Sequence, residues 1–108
     1  MIIRIEYRCW KIVEVDKRTI KTLFHAHKGS RKLPRKTWLK AESKMVDDGE
    51  GEYKSGWHVF KDRNIANNYL SKRFKRKGLK VVECLACSLR RKSHSRDEIY
   101  LAGEIYLE

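Results

Sequence analysis

Three cysteines and four histidines are the residues of this chain best suited to metal or nucleophilic chemistry. Cys84 and Cys87 have the C-x-x-C spacing of half a zinc site, which Cys9 or a histidine could complete. On an extended strand, however, residues three apart point to opposite faces, and the flanking residues here are apolar. We therefore expect buried free thiols, with no bound metal or cofactor.

The histidines give a weaker signal. His25 and His27 would share one face of a strand, but no carboxylate or thiol stands in that run to complete a metal site. His58 stands between Trp57 and Val59 and has the chemistry of a general acid or base. No Ser, Cys or carboxylate lies at a motif spacing to work with it. We favour a structural role for His58, name no catalytic residue and predict that the protein is not an enzyme.

Positive charge is the dominant feature of the composition. The chain has 26 Lys and Arg against 14 Asp and Glu, a net charge of +12. Residues 25–46 carry +6 (seven basic, one acidic) and residues 61–80 carry +7 (eight basic, one acidic). Such clusters neutralise phosphates without reading base sequence. The predicted nucleic-acid-binding residues are Arg31, Lys32, Arg35, Lys36, Trp38, Lys40, Lys72, Arg73, Lys75, Arg76, Lys77, Arg90, Arg91 and Lys92.

Two acidic stretches make this charge asymmetric. Residues 47–60 carry −3 (one basic, four acidic) and residues 97–108 carry −4 (no basic, four acidic). We expect a directed basic face, although the sequence leaves open whether the two basic blocks share it. Trp38, set among cations, fits either a core anchor or an exposed ring on which a base stacks.

The elements that position these residues must fit into one small domain. The chain has 108 residues and a single proline, and 41% of its residues are hydrophobic, which predicts one folded domain over residues 1–108. Charges at Arg4, Glu6 and Arg8 interrupt the N-terminal apolar residues, so this stretch has neither the pattern of a signal peptide nor that of a membrane-spanning helix. We expect a cytoplasmic protein.

Periodicity predicts strands at both ends of the chain. Residues 2–9 alternate as a half-buried strand, and a phase change near Cys9 and Trp10 predicts a bulge or turn. The apolar residues of 56–60 predict a short buried strand. Residues 79–89 predict a central strand, and residues 99–107 predict the last one.

One helix is predicted between the short buried strand and the central strand. Asp62 is a suitable N-cap, and Ile65, Ala66, Tyr69 and Leu70 recur at helical spacing toward Gly78. Together these elements predict an α+β fold, a mostly antiparallel sheet with one main helix packed on it.

Several short motifs resemble a group of small prokaryotic and phage-encoded proteins. The first motifs are residues 9–13, the Thr-Leu-Phe motif at 22–24 and residues 36–41. The later ones are the Gly56-Trp57-His58-Val59-Phe60 strand followed by Ala66 and Tyr69, and the strands within 81–107. Thr22 stands where the family usually has Ser, and Thr37 is an extra residue. The resemblance covers roughly residues 7–107. It implies a phage or mobile-element context and carries no catalytic assignment.

These observations support a leading hypothesis and two alternatives. The first is a non-enzymatic phage-type protein whose basic face engages RNA, DNA or a nucleic-acid-loaded host complex, such as an RNA-guided defence nuclease, which would make it an anti-CRISPR protein. The second is a protein-only inhibitor or adaptor that docks on an acidic protein surface. The third is a small nucleic-acid-processing enzyme centred on His58.

Overall fold

The structure is a computed structural model that describes residues 5–23, 32–41, 45–47, 52–54, 56–73, 78–92 and 98–108. Within these ranges it contains eight strands and one helix. In chain order they are β1 (Tyr7–Asp16), β2 (Thr19–Lys21), β3 (Trp38–Lys40), β4 (Met45–Asp47), β5 (Glu52–Lys54), β6 (Trp57–Val59), α1 (Arg63–Arg73), β7 (Leu79–Arg91) and β8 (Tyr100–Tyr106).

Six strands form one antiparallel sheet in the order β2-β1-β7-β8-β3, with β6 also paired to β8. The sheet curls into a half-barrel. The curl brings the end of β6 back to β1, where Trp10 and Phe60 exchange two backbone hydrogen bonds of 2.8 Å. Strands β4 and β5 form a separate two-stranded hairpin.

The predicted α+β class is wrong, because the protein is mostly antiparallel sheet with one short helix. The 11-residue α1 does not cover the sheet as a second layer. It contacts β1 and β7. The long strands instead bury most of their apolar residues against each other across the curl, which removes the need for a large helical layer.

The apolar residues form two clusters on opposite sides of the curled sheet. The inner core, on the concave side, takes residues from every strand of the sheet and comprises Cys9, Val13, Ile20, Leu33, Leu39, Trp57, Val59, Cys84, Ala86, Ala102, Ile105 and Leu107. The outer core, beneath α1, comprises Ile12, Phe60, Ala66 and Ile99. Strand β1 is therefore buried on both faces along its middle.

This two-sided burial corrects the prediction of a bulge near Cys9 and Trp10. The register of β1 with β7 is unbroken from Tyr7 opposite Ala86 to Glu14 opposite Leu79. The apolar pattern changes phase because α1 begins to cover the second face of the strand at Trp10 and Ile12, and no residue is inserted.

Helix α1 begins as the sequence predicts. The Asp62 side chain accepts hydrogen bonds from the amides of Asn64 and Ile65, at 2.7 and 3.1 Å, which confirms it as the N-cap. The helix runs to Arg73, and residues 74–77, where its end was predicted, lie outside the described residues. No helix in the described part of the chain is long and apolar enough to cross a membrane.

Candidate nucleic-acid interface and a buried-lysine pocket

The described members of the first basic block lie beside the acidic end of the chain. Lys40 on β3 is the cross-strand partner of Glu104 on β8. The Arg35 guanidinium donates a hydrogen bond to the carbonyl of Glu108, and the amide of Lys36 donates to the carbonyl of Leu107 at 2.7 Å. The register therefore sets one carboxylate, that of Glu104, at the cross-strand position of Lys40.

Trp38 takes an intermediate position between the two predicted roles. It is half-buried, and its ring lies 5.5 Å from the ring of Tyr106 at a tilt of 46°. Lys32 is exposed and continues the sheet edge, because its neighbour Leu33 donates a backbone hydrogen bond to Ile20. Arg31 lies outside the described residues.

The second basic block lies on α1, away from the first. Among the described elements, α1 contacts β1 and β7 but has no contact with β3. Lys72 is exposed, and the Arg73 guanidinium lies 5.5 Å from the centre of the Tyr69 ring. Lys75, Arg76 and Lys77 lie outside the described residues.

The outer face of α1 contains no carboxylate. Helical spacing gives it a central stripe of neutral polar residues with Arg63 along one margin and Lys72 along the other. Asp62 precedes the helix, with its carboxylate engaged by backbone amides. The exposed residues of this face are Arg63, Asn64, Asn67, Asn68, Ser71 and Lys72.

Two further cations reach the same end of the molecule through the fold. The amide of Val15 donates to the carbonyl of Gly78 at 2.7 Å, so the turn after β1 lies against the segment that follows α1. This turn carries Lys17 and Arg18, both exposed. The distribution of charge along the sequence does not predict that Lys17 and Arg18 lie near the helix, because the contact between Val15 and Gly78 connects segments about 60 residues apart.

The third predicted group lies at the other end of β7. Arg91 pairs with Tyr100 at the start of β8, and the amide of Lys92 donates to the carbonyl of Ile99 at 2.9 Å. The guanidinium of Arg90 packs over Gly56. Strand β7 begins at Leu79, after α1, and Arg90, Arg91 and Lys92 lie at its opposite end.

Sequence reasoning missed the most unusual cation. Lys11 lies on the same face of β1 as Cys9 and Val13, so its side chain enters the inner core and is only 3% exposed. Its Nζ donates to the carbonyl of His58 at 3.1 Å and lies 5.6 Å from the centre of the Trp57 ring. Strict alternation along β1 was the signal that could have found it.

The position of Lys11 follows from the way the sheet curls. Backbone pairing between β1 and β6 is limited to Trp10 and Phe60. Two residues further along an antiparallel ladder, Ile12 would face His58. There the strands diverge, and the carbonyl of His58 accepts the Lys11 ammonium group.

A small cavity of about 30 Å³ occupies the gap between the diverging strands. Its walls include the apolar side chains of Leu23, Trp57 and Phe60, together with the polar side chains of Lys11 and Thr22. Thr22 is 2% exposed. His58 is half-buried and also lines this cavity, with its backbone paired to Leu101.

Burial changes the acid-base properties of two groups here. Desolvation lowers the pKa of Lys11 to about 8, partly offset by the nearby Cys84. Burial raises the pKa of the Cys84 thiol to about 12 against the opposing effect of Lys11.

The cysteines match the expectation of buried free thiols. Cys9, Cys84 and Cys87 are all free and buried. The Cys87 thiol lies 3.5 Å from a Glu104 carboxylate oxygen. Among the residues the structure describes, no three His, Cys, Asp or Glu side chains group as a metal site would require. His25, His27 and His94 lie outside those residues.

Comparison with models of protein families, with curated proteins and with solved structures found no match. The resemblance to small phage-encoded proteins therefore stays a prediction.

Proposed function

We propose that the protein binds nucleic acid, free or held in a host complex, through the outer face of α1. The observation that carries this proposal is the absence of carboxylates from that face, with Arg63 and Lys72 along its margins. A phosphate backbone meets cations there without a competing anion, and the asparagines of the neutral stripe supply side-chain amide donors.

The first basic block is the weaker candidate for the same role. Lys40 faces Glu104 across the strand pair, and Arg35 is held by the chain end. A phosphate approaching Lys40 also approaches the carboxylate of Glu104, which reduces the local positive potential. The two blocks therefore differ in expected affinity although their net charges are similar.

The experiment compares two charge-matched double variants, Arg63→Gln with Lys72→Gln on α1 and Lys32→Gln with Lys40→Gln beside β3. Both lower the net charge by the same amount, so a purely general electrostatic effect would weaken them equally. We expect the α1 variant to lose about tenfold in affinity and to reduce the slope of log K against log salt by about 1.5.

The measurement is a fluorescence-anisotropy titration of labelled single-stranded RNA, single-stranded DNA and duplex DNA at several salt concentrations. Circular dichroism checks that α1 remains folded in the variant. Equal weakening by both double variants would refute the assignment to α1. An absence of binding to every probe at low salt would refute nucleic-acid binding itself and favour a protein-only partner.

A further inference from the structure

The cavity beside Lys11 contains a buried cation without a described carboxylate partner. Within the described residues, Lys11 Nζ makes one hydrogen bond, to the carbonyl of His58, and faces the Trp57 ring. An ammonium group carries three N–H donors. Its burial exceeds nine-tenths, and its side chain lines the cavity.

A buried charge of this kind is costly unless an opposite charge accompanies it. The described ion pairs Arg8–Glu83 and Lys21–Asp16 do not involve Lys11. The ionisable group that opposes the lowered pKa of Lys11 is the thiol of Cys84, which burial keeps protonated. An anion in the cavity would complete the electrostatic balance.

The size and lining of the cavity restrict the anion. A volume of about 30 Å³ holds about two water-sized groups, which matches the two oxygens of one carboxylate. Leu23, Phe60 and Tyr69 supply apolar walls of the cavity. Leu23 and Tyr69 are half-buried and so line the side nearer to solvent.

We propose that this cavity binds a small monocarboxylate, with its carboxylate on Lys11 Nζ and its short apolar tail between Leu23 and Tyr69. Thr22 lies in the cavity wall beside it. This site is separate from the outer face of α1 and does not depend on nucleic-acid binding.

The test measures thermal unfolding at pH 6.5 with sodium acetate or sodium butyrate, each against sodium chloride at equal ionic strength. For the wild-type chain, we expect each carboxylate to raise Tm by about 4 °C over chloride at ten times its Kd. The increase should vanish in Lys11→Met. It should persist in the control Lys40→Met, which removes an exposed lysine outside the cavity.

A second measurement needs no variant and guards against a Lys11→Met protein that fails to fold. Saturation transfer from the indole protons of Trp57 should reach the methyl group of butyrate in the wild-type protein. The same transfer should be lost at pH 10, where Lys11 is neutral. Equal Tm values in carboxylate and chloride, a carboxylate-specific shift that survives in Lys11→Met, or butyrate without transfer from Trp57 would each overturn the proposal.

Discussion

Lys11 shows how one side chain can set the pH response of a small protein. Desolvation lowers its pKa to about 8 from an ordinary value of 10.5, because the inner core disfavours the charged form. Cys84, its neighbour in the core, has its pKa raised to about 12 from 9.0 by the same cause. The pKa of Cys9 is also raised by burial, with Lys61 opposing the shift.

Opposite shifts in a lysine and two cysteines predict a limited pH window of rising stability. Below pH 8, Lys11 is charged in both states and the cost of burying it is fully present. Above pH 8, the folded chain releases that proton while the unfolded chain keeps it, so the free energy of unfolding rises by up to about 1.4 kcal/mol per pH unit. From pH 9, cysteines that ionise only in the unfolded chain oppose this rise.

We therefore expect wild-type stability, measured by urea denaturation, to increase from pH 7.5 to 9 and then to stop increasing. Lys11→Met should lose this increase, and its stability should fall above pH 9, because the effect of the cysteines is then unopposed. Its stability at pH 7 should equal or exceed that of the wild type. A variant with the wild-type slope between pH 8 and 9 would show that Lys11 does not carry the effect.

At the scale of elements, the middle of β7 contains a strained contact. Ser88 has a positive φ of 58°, a conformation that costs a residue other than glycine about 1 kcal/mol. It lies opposite Gly103 on β8, where an added Cβ would come within 3.0 Å of the Ser88 Cβ. Gly103 leaves room for the Ser88 side chain in this conformation.

This contact predicts a coupled pair of substitutions. Gly103→Ala should destabilise the protein by about 1–3 kcal/mol through overpacking. In a Ser88→Gly background the opposing Cβ is gone and the positive φ is unstrained, so the same change should cost at least about 1 kcal/mol less. The measurement is a double-mutant cycle in urea. Additive effects would mean that the two positions do not share the contact.

The elements also show which features the sequence could predict. The N-cap Asp62, the central strand after Gly78 and the last strand all follow from local patterns, because turns, caps and alternation are encoded by neighbouring residues. The predicted fold class was wrong because the class depends on how the sheet curls. That curl pairs Phe60 with Trp10, which are 50 positions apart in the sequence. No local pattern encodes that pairing.

The candidate site was predictable to a similar degree. On α1, Lys72 and Arg73 were predicted from the density of cations, but Arg63 at the start of the helix was missed. The pairing that sets Lys40 against Glu104 needed the register of β3 and β8. Lys11 was missed because the apparent phase change in β1 hid its place in the alternation. A cation between two buried residues on one strand face is the pattern that marks such a site.

At the scale of the whole molecule, the excess of positive charge works against folding. A net charge of +12 on a chain with a radius of gyration of 13.4 Å implies mutual repulsion. The described ion pairs contribute little, because Arg8 and Glu83 are largely exposed and Lys21 and Asp16 are 3.8 Å apart with Asp16 exposed. The proposed nucleic-acid partner would account for a surface without carboxylates such as the outer face of α1.

If the α1 cations serve binding at the expense of folding stability, neutralising them should stabilise the free protein and weaken its binding to nucleic acid. Arg63 opposes the helix dipole at the N-terminus and Lys72 complements it at the C-terminus, so these two effects cancel and leave the repulsion. We expect the Arg63→Gln and Lys72→Gln double variant to unfold about 2 °C above wild type in 20 mM salt. The difference should disappear in 500 mM salt, where screening removes repulsion.

The control Asn67→Gln, on the same face of α1, should change neither the unfolding temperature nor the binding affinity. A double variant less stable than wild type at low salt would show that these cations stabilise the fold, and would remove the argument that they are kept for a partner.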